Sequence, residues 1–546
     1  MAVPEQWKAG IVHQATIRAS RGLSATAVTL PTRQARANPA RLCLAHGDVS
    51  PESPTITNCH SRAHGSRQTE PVWQFDWGAC TEVWRSILNR APLKTGSQNN
   101  DQLRAPLGFD SMRETERGNQ LDMRSRVLFL SQCLPFPPHS GVTNRTYHVL
   151  QELQRAFDVT LVAFSRRDHQ PDATSRARAA AVLARELSDV MNPVPIDSEY
   201  SLARKLRNHA SSVVAREPYV FYEYGDVRFG QELQQAVESA MPDMIHLDSL
   251  DLYRWLPTLP VLPTACTHHS VESELLRLQA DHSPNRLVRS YMKHQADLLE
   301  KVERTLCGQL DLNVMTSEVD AERLRALARG ARTTVIPNGV DVDFFQPGSP
   351  QAVVQGRVAF LGPTYMFPNR DAVEFFLADA WPLIRRSCPE STFHLIGKNS
   401  VDEKARFESH PGVTCNGYVP DIRPHVAQTA VSIVPIRVGG GTRLKILDAW
   451  SMGKAIVSTS VGCEGLETVD GRNILIRDDP AEFAAAVVQL LRDRDLRDRL
   501  GKEARRTAEE HYAWRVVGRK LIGFYEHLIE AGAPNAPEDR AASSRN

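Results

Sequence analysis

Apolar residues follow no sustained period through the first 122 positions, and from position 127 they do. Short β-branched runs then alternate with stretches in which apolar residues return every three or four positions, the marks of buried strands and amphipathic helices. Strands are predicted at 127–131, 159–164, 244–247, 264–267 and 313–316, with helical spacing over 143–157 and 297–307. The alternation restarts after Pro337-Asn338-Gly339. Six further strands are predicted at 357–361, 392–396, 413–416, 431–434, 455–458 and 473–476, with helices between most of them. Strand and helix in alternation imply parallel sheets covered on both faces. The expected class is α/β, with two doubly wound domains at 123–338 and 339–510, a terminal helix at 511–532 and a disordered tail at 533–546.

Residues 1–122 carry frequent Ser, Thr, Asn, Pro and Arg and too little periodic apolar surface to offset chain ordering, so a disordered extension is expected. The stretch through Arg41 is Arg-rich and acid-poor, which is compatible with a transit peptide. The other explanation is that Met123, directly before Arg-Ser-Arg-Val-Leu-Phe-Leu, is the true start. Val72-Trp-Gln-Phe-Asp-Trp77 is the one apolar-aromatic island in this region.

The whole chain has 546 residues, enough for two or three domains. Lysine plus arginine (65) and aspartate plus glutamate (64) nearly cancel, and no nucleic-acid partner is expected. Nine cysteines without a Cys-x-x-Cys pair fit neither a disulfide framework nor a zinc ribbon, and a reducing cytoplasm is the simplest setting. No run approaches the about 20 apolar residues that span a bilayer. Any membrane contact is expected to be peripheral, at the inner face of the plasma membrane.

The most specific chemistry lies between Val431 and Thr459. An apolar strand meets Gly439, Gly440 and Gly441, whose amides no Cβ obstructs, and Thr442 is placed to cap the helix that follows. Arg443 and Lys445 then fall in its first turn, where cations oppose the helix dipole unless an anion is bound. Exposed amides, a positive helix end and two cations make a phosphate site, and Asp448 one turn on is placed to accept from a sugar.

This block resembles the donor-binding segment of the retaining family 4 glycosyltransferases of the GT-B fold, in particular the exopolysaccharide-associated type. Val335-Ile-Pro-Asn-Gly-Val-Asp-Val-Asp-Phe-Phe345 is similar to that family's interdomain motif, and Gly362-Pro-Thr-Tyr-Met-Phe-Pro-Asn369 to the start of its second domain. The resemblance runs from about Arg124 to about Gly532. It implies two Rossmann-like domains facing across a cleft, the first on the acceptor side and the second binding a nucleotide sugar, with the helix at 511–532 returning to the first. The implied activity is a metal-independent glycosyltransferase of the hexosyltransferase type. It moves a sugar to a hydroxyl with retention, in polysaccharide or glycoconjugate synthesis. The nucleotide sugar is a co-substrate, no cofactor is needed, and the acceptor is a saccharide or lipid-linked.

By the same resemblance His269, in Cys266-Thr-His-His-Ser-Val-Glu272, lies near the transferred sugar, with His268 as its competitor for that role. Gly141 stands where the family has a glycine pair near the donor phosphates, Val142 replacing the second, and Arg145 opens the next helix as a further cation. Gly440, Gly441, Thr442, Asp448 and Glu464 complete the expected donor site, with His269, Arg443 and Lys445 as the catalytic set. Two departures stand out. The family's basic pair after the first strand of its second domain is replaced by Pro363-Thr-Tyr-Met366, and its two glutamates eight apart become Gly440 and Asp448.

Gly453-Lys454 lacks the glycine and the Ser/Thr that a P-loop requires. No third ligand stands near the histidine pair, so no metal is expected. The cationic stretch 286–293 reads as a solvated face. Two other functions stay open: a non-catalytic binding protein that kept the fold, or a nucleotide-sugar epimerase, which needs cleft carboxylates for proton transfer.

Overall fold

The computed structural model describes residues 124–138, 140–187, 189–283, 285–439 and 443–532. The expected extension at 1–122 and tail at 533–546 lie outside the described residues, as do Gly440, Gly441 and Thr442.

The first sheet uses β1 (Arg126–Ser131), β2 (Asp158–Ser165), β3 (Asp189–Val190), β4 (Val194–Pro195), β5 (Met244–Leu247), β6 (Thr264–His268), β7 (Leu312–Met315) and β8 (Thr333–Val335). Its order is β3-β2-β1-β5-β6-β7-β8, with β4 also on β2, and every pairing is parallel. The second sheet uses β9 (Arg357–Leu361), β10 (Thr392–Ile396), β11 (Val413–Gly417), β12 (Val431–Val434), β13 (Ile456–Ser458) and β14 (Leu475–Ile476), in the order β11-β10-β9-β12-β13-β14, again all parallel. Helices used below are α1 (Gly141–Leu153), α2 (Leu202–Ala215), α3 (Glu272–Asp281), α4 (Arg286–Leu306), α5 (Glu318–Leu327), α6 (Phe367–Phe375), α7 (Leu444–Ser451) and α8 (Trp514–Ala531). This is the GT-B arrangement of two parallel α/β layers.

Strand β1 shows why a parallel strand reads as an unbroken apolar run. Val127 and Phe129 enter the core on one face of the sheet, and Leu128 and Leu130 enter the core on the other. In the second sheet, Phe360, Phe393, Val431, Ile433 and Val457 pack with Trp381 and Trp450 in one core of their own.

Between the sheets the chain passes through Ile336 to Gly339, and here the structure corrects a sequence expectation. Arg145 does not point at a phosphate site. Its guanidinium, 2% exposed, donates to Ile336 O (2.8 Å), Pro337 O (2.9 Å) and Asn338 Oδ1 (3.0 Å). An arginine so buried must spend its donors on carbonyls, and it holds the crossover segment against α1.

Helix α8 packs against the first sheet. Trp514, Val517, Leu521, Tyr525 and Leu528 join the core that holds Val127 and Phe129. The Tyr525 hydroxyl meets His246 Nδ1 on β5, and that imidazole stacks on Phe129 at 4.3 Å. Gly518 lies directly on the Glu152 side chain of α1, where any Cβ would collide. Before α8, Val340 N donates to Tyr512 O (2.8 Å) and Trp514 N to Val340 O (3.3 Å).

The C-terminal ends of the two sheets face each other. Gly141, after β1, stands 3.5 Å from Leu444, measured from where a Cβ would be. His282, after α3, lies 4.7 Å from the Phe367 ring. A Cβ on Gly465, after β13, would be 2.9 Å from Ser317 Cβ, after β7. The strand ends therefore line one cleft, the place where α/β sheets bind ligands. Among the described residues no helix is long and apolar enough to cross a membrane.

Candidate active site

The rim contributed by the second sheet is cationic. Arg443 is the N-cap residue of α7 rather than part of its first turn, and no side chain caps that helix end among the described residues. Its Nη2 donates to Gly439 O at 2.7 Å. Burial lowers its pKa, while Glu464 and Asp320 act in the opposite direction. Lys445 reaches back beneath β9. Its Nζ donates to Asn369 Oδ1 at 2.7 Å and stands 4.2 Å over the Phe360 ring. A Cβ on Gly362 would lie 2.9 Å from that Nζ, so the glycine at the end of β9 leaves the ammonium its place.

Two consequences follow for charge. Burial, and next the neighbouring Arg443, push the Lys445 ammonium down to about 7. Burial alone pushes the half-buried Asp448 carboxyl up to about 7. Near neutral pH each therefore changes charge readily, and a bound anion would restore the lysine's proton. Binding of a nucleoside diphosphate at about pH 8 is thus expected to take up protons, and affinity to fall as pH rises through the lysine's pKa. Calorimetry in buffers of different ionisation enthalpy reads this directly. Lys445→Met should abolish the uptake.

The facing rim comes from the first sheet. His268 closes β6 and His269 directly follows it. His268 Nε2 pairs with Asn313 Oδ1 (3.0 Å) inside the sheet. His269 hydrogen-bonds the Asp248 backbone, and its buried Nε2 has no partner. Burial, then Arg145 and His268, hold the imidazole down at about 3, so it is neutral at any physiological pH. Beside it Asp248 accepts from Thr146 Oγ1 (2.6 Å) and Ser131 Oγ (3.1 Å), and burial pushes its carboxyl up to about 7.

Glu464 and Arg323 bridge the rims. Arg323 on α5 holds Asp320 at 3.2 Å and reaches Glu464 across the cleft at 3.7 Å. Gly141 opens α1 behind its N-cap, Ser140 Oγ, which accepts from Thr143 N at 3.2 Å. The structure thus brings Gly141 against Leu444 at the start of α7, beside Arg443, and Glu464 to Arg323 across the cleft, while Lys445 turns to Asn369 and Gly440, Gly441 and Thr442 lie outside the described residues. Asp248, Asn369 and Arg323 are cleft residues that sequence reasoning passed over. Asp248 directly follows β5, and a polar residue at a parallel strand's C-terminal end is the signal that would have marked it. Among the described residues no group of His, Cys, Asp or Glu side chains could hold a metal ion.

Residues 139–344 match the family described as Glycosyltransferase Family 4, and residues 355–493 that described as Glycosyl transferases group 1. A phosphatidyl-myo-inositol mannosyltransferase of Mycobacterium tuberculosis is 27% identical over 231 residues, 39% of this chain and 59% of that enzyme's length. A D-inositol 3-phosphate glycosyltransferase of Corynebacterium urealyticum is 24% identical over 302 residues, 49% of this chain and 69% of the other. Among solved structures, a sucrose-phosphate synthase from Thermosynechococcus elongatus superposes with TM-score 0.54 at 15% identity, covering 75% of this chain and 100% of that one. Anabaena HepE in complex with UDP gives 0.52 at 13% identity, covering 74% and 100%. The chain thus has the GT-B fold of these solved structures, and its two halves are similar in turn to the Glycosyltransferase Family 4 and the Glycosyl transferases group 1 models.

Proposed function

We propose that this protein is a nucleotide-sugar-dependent glycosyltransferase that works with retention and without a metal ion. The donor binds the second sheet and a saccharide or lipid-linked acceptor the first. The observation that carries the reading is the pair of cations, Arg443 and Lys445, at the C-terminal edge of one sheet, with the neutral, unpartnered His269 Nε2 at the edge of the other. In transfer, the bond from the anomeric carbon to the diphosphate breaks and a bond to the acceptor oxygen forms on the same face. The acceptor proton passes to the departing diphosphate oxygen. Arg443 and Lys445 stabilise the negative charge that grows there. A histidine held at about 3 cannot serve as a base at neutral pH, so its part is to hydrogen-bond a donor hydroxyl. HepE, of the same fold, holds UDP, which agrees with a nucleoside diphosphate at these cations. The setting is the cytoplasm, with the acceptor drawn from the inner face of the plasma membrane.

The second reading, a binding protein without turnover, draws on Gly440 and Asp448 at the family's two glutamate positions. A nucleotide-sugar panel separates the two. Thermal shift selects the donor, product mass detects transfer, and proton NMR of the product reads the anomer. The expected product keeps the donor's anomeric configuration and forms undiminished in a chelator. Binding of a donor with no product from any acceptor fraction would favour the second reading.

A further inference from the structure

We propose that the aromatic island at 72–77 docks into an apolar trough between two helices of the second domain, Trp381–Ser387 and Pro480–Arg492. The second of these helices is apolar on two sides. Phe483, Val487 and Leu490 enter the core with Trp381 and Ile384. Ala481, Ala484, Ala485 and Val488, at i, i+3, i+4 and i+7, form another stripe, in which Ala481 and Ala485 are exposed and Val488 is half-buried. With Leu383 of the facing helix they line a cavity of about 400 Å³. A surface helix that meets only water carries polar residues at such positions.

Size and charge select the occupant. The volume lies within the range of small-ligand pockets, about 300–1,000 Å³, and suits aromatic side chains, which bury about 150–250 Å² each. A second copy needs a far broader contact, since stable interfaces bury at least about 1,200 Å². Here the larger apolar side chains, Leu383 and Val488, are already partly covered. One end of the trough is cationic. Arg492 Nη2 donates to Ser387 O at 2.6 Å, and Arg386 stands exposed beside that serine. Asp493 is engaged as the cap of the next helix, accepting from Leu496 N at 2.9 Å, and Glu482 lies toward the opposite end of its helix.

Residues 68–84 supply the complement. Trp73, Phe75, Trp77 and Trp84 bring the rings, Glu70, Asp76 and Glu82 bring the counter-charge, and the stretch contains no lysine or arginine. Trp77 precedes Arg124, where the described chain begins, by 47 positions. A coil of that length spans about 40 Å, more than the diameter of a small domain, about 30 Å. Tethering raises the local concentration of the island toward about the millimolar range, so a contact too small to hold a separate protein suffices within one chain. The docking does not depend on the proposed transfer reaction.

Cys80 lies three residues after Trp77, so a short bis-maleimide added to the full chain reads the docking directly. Ala485→Cys puts a thiol in the trough, and Val401→Cys puts one at an 86% exposed position elsewhere on the second domain. Peptide mass spectrometry is expected to find Cys80 joined within one chain to position 485 at least about tenfold more often than to position 401, because a docked segment concentrates its thiol at one place. Trp73→Ser with Trp77→Ser should bring the two yields together. Ala481→Cys, also in the trough, repeats the measurement if Ala485→Cys lowers the melting temperature. Equal yields at 485 and 401, a preference that the tryptophan variant leaves unchanged, or a link formed only between chains, as a second copy in the trough gives, would each overturn the proposal.

Discussion

Arg443→Ala is expected to weaken nucleoside diphosphate binding by about 1.5–3 kcal/mol, the scale of a charge-assisted hydrogen bond. The melting temperature should barely change. The guanidinium donates to a loop carbonyl, Gly439 O, and burial without a bound anion already works against its charge. Removing it takes more from the complex than from the empty protein. Asp448→Asn should weaken nucleoside diphosphate binding as well but leave bare pyrophosphate nearly untouched, because the proposed partner of Asp448 is the ribose. Calorimetry with both ligands checks the pair. Equal loss of pyrophosphate binding in the Asp448 variant would move Asp448 from the sugar to the phosphate.

Tyr525→Ala is expected to cost about 3–5 kcal/mol of stability, the range for removing a buried aromatic side chain. Tyr525 is fully buried, fills the core between α8 and the first sheet, and closes the hydrogen bond to His246. Tyr525→Phe keeps the volume and leaves His246 Nδ1 without that partner, so about 1–3 kcal/mol is expected instead. Denaturant melts of the parent and both variants give the ranking. Equal stability of all three would mean that α8 is not anchored as the structure shows it.

The parallel strands were legible because each face of each sheet is covered, which makes the strand one continuous apolar run. Strands β5, β9, β10 and β12 fall on the expected residues. Strand β8 was not found, because Thr333-Thr-Val335 is short, polar and only partly buried, and β3 and β4 are two residues each. Helix α4 was read from its second half alone. Its first half carries arginines and a partly outward apolar face, and its start is marked only by Asn285, whose side chain accepts from Leu287 N and Val288 N.

In the candidate site, the glycine-rich turn and the cations after it were legible from spacing. What Arg145 does was not, since its partner Ile336 is 191 positions away and no local pattern carries that contact. The same holds for Lys445 and Asn369, 76 positions apart. The order of His268 and His269 follows from strand alternation, but which of them is left without a partner depends on Asn313 of β7.

The most direct test of the central claim is donor turnover by the full chain. With the nucleotide sugar chosen by the panel and its acceptor present, nucleoside diphosphate should be released far beyond one equivalent per protein, and Arg443→Ala should slow it at low donor concentration in proportion to its lost affinity. Tight donor binding with at most one equivalent released, or release that Arg443→Ala leaves unchanged, would contradict the account.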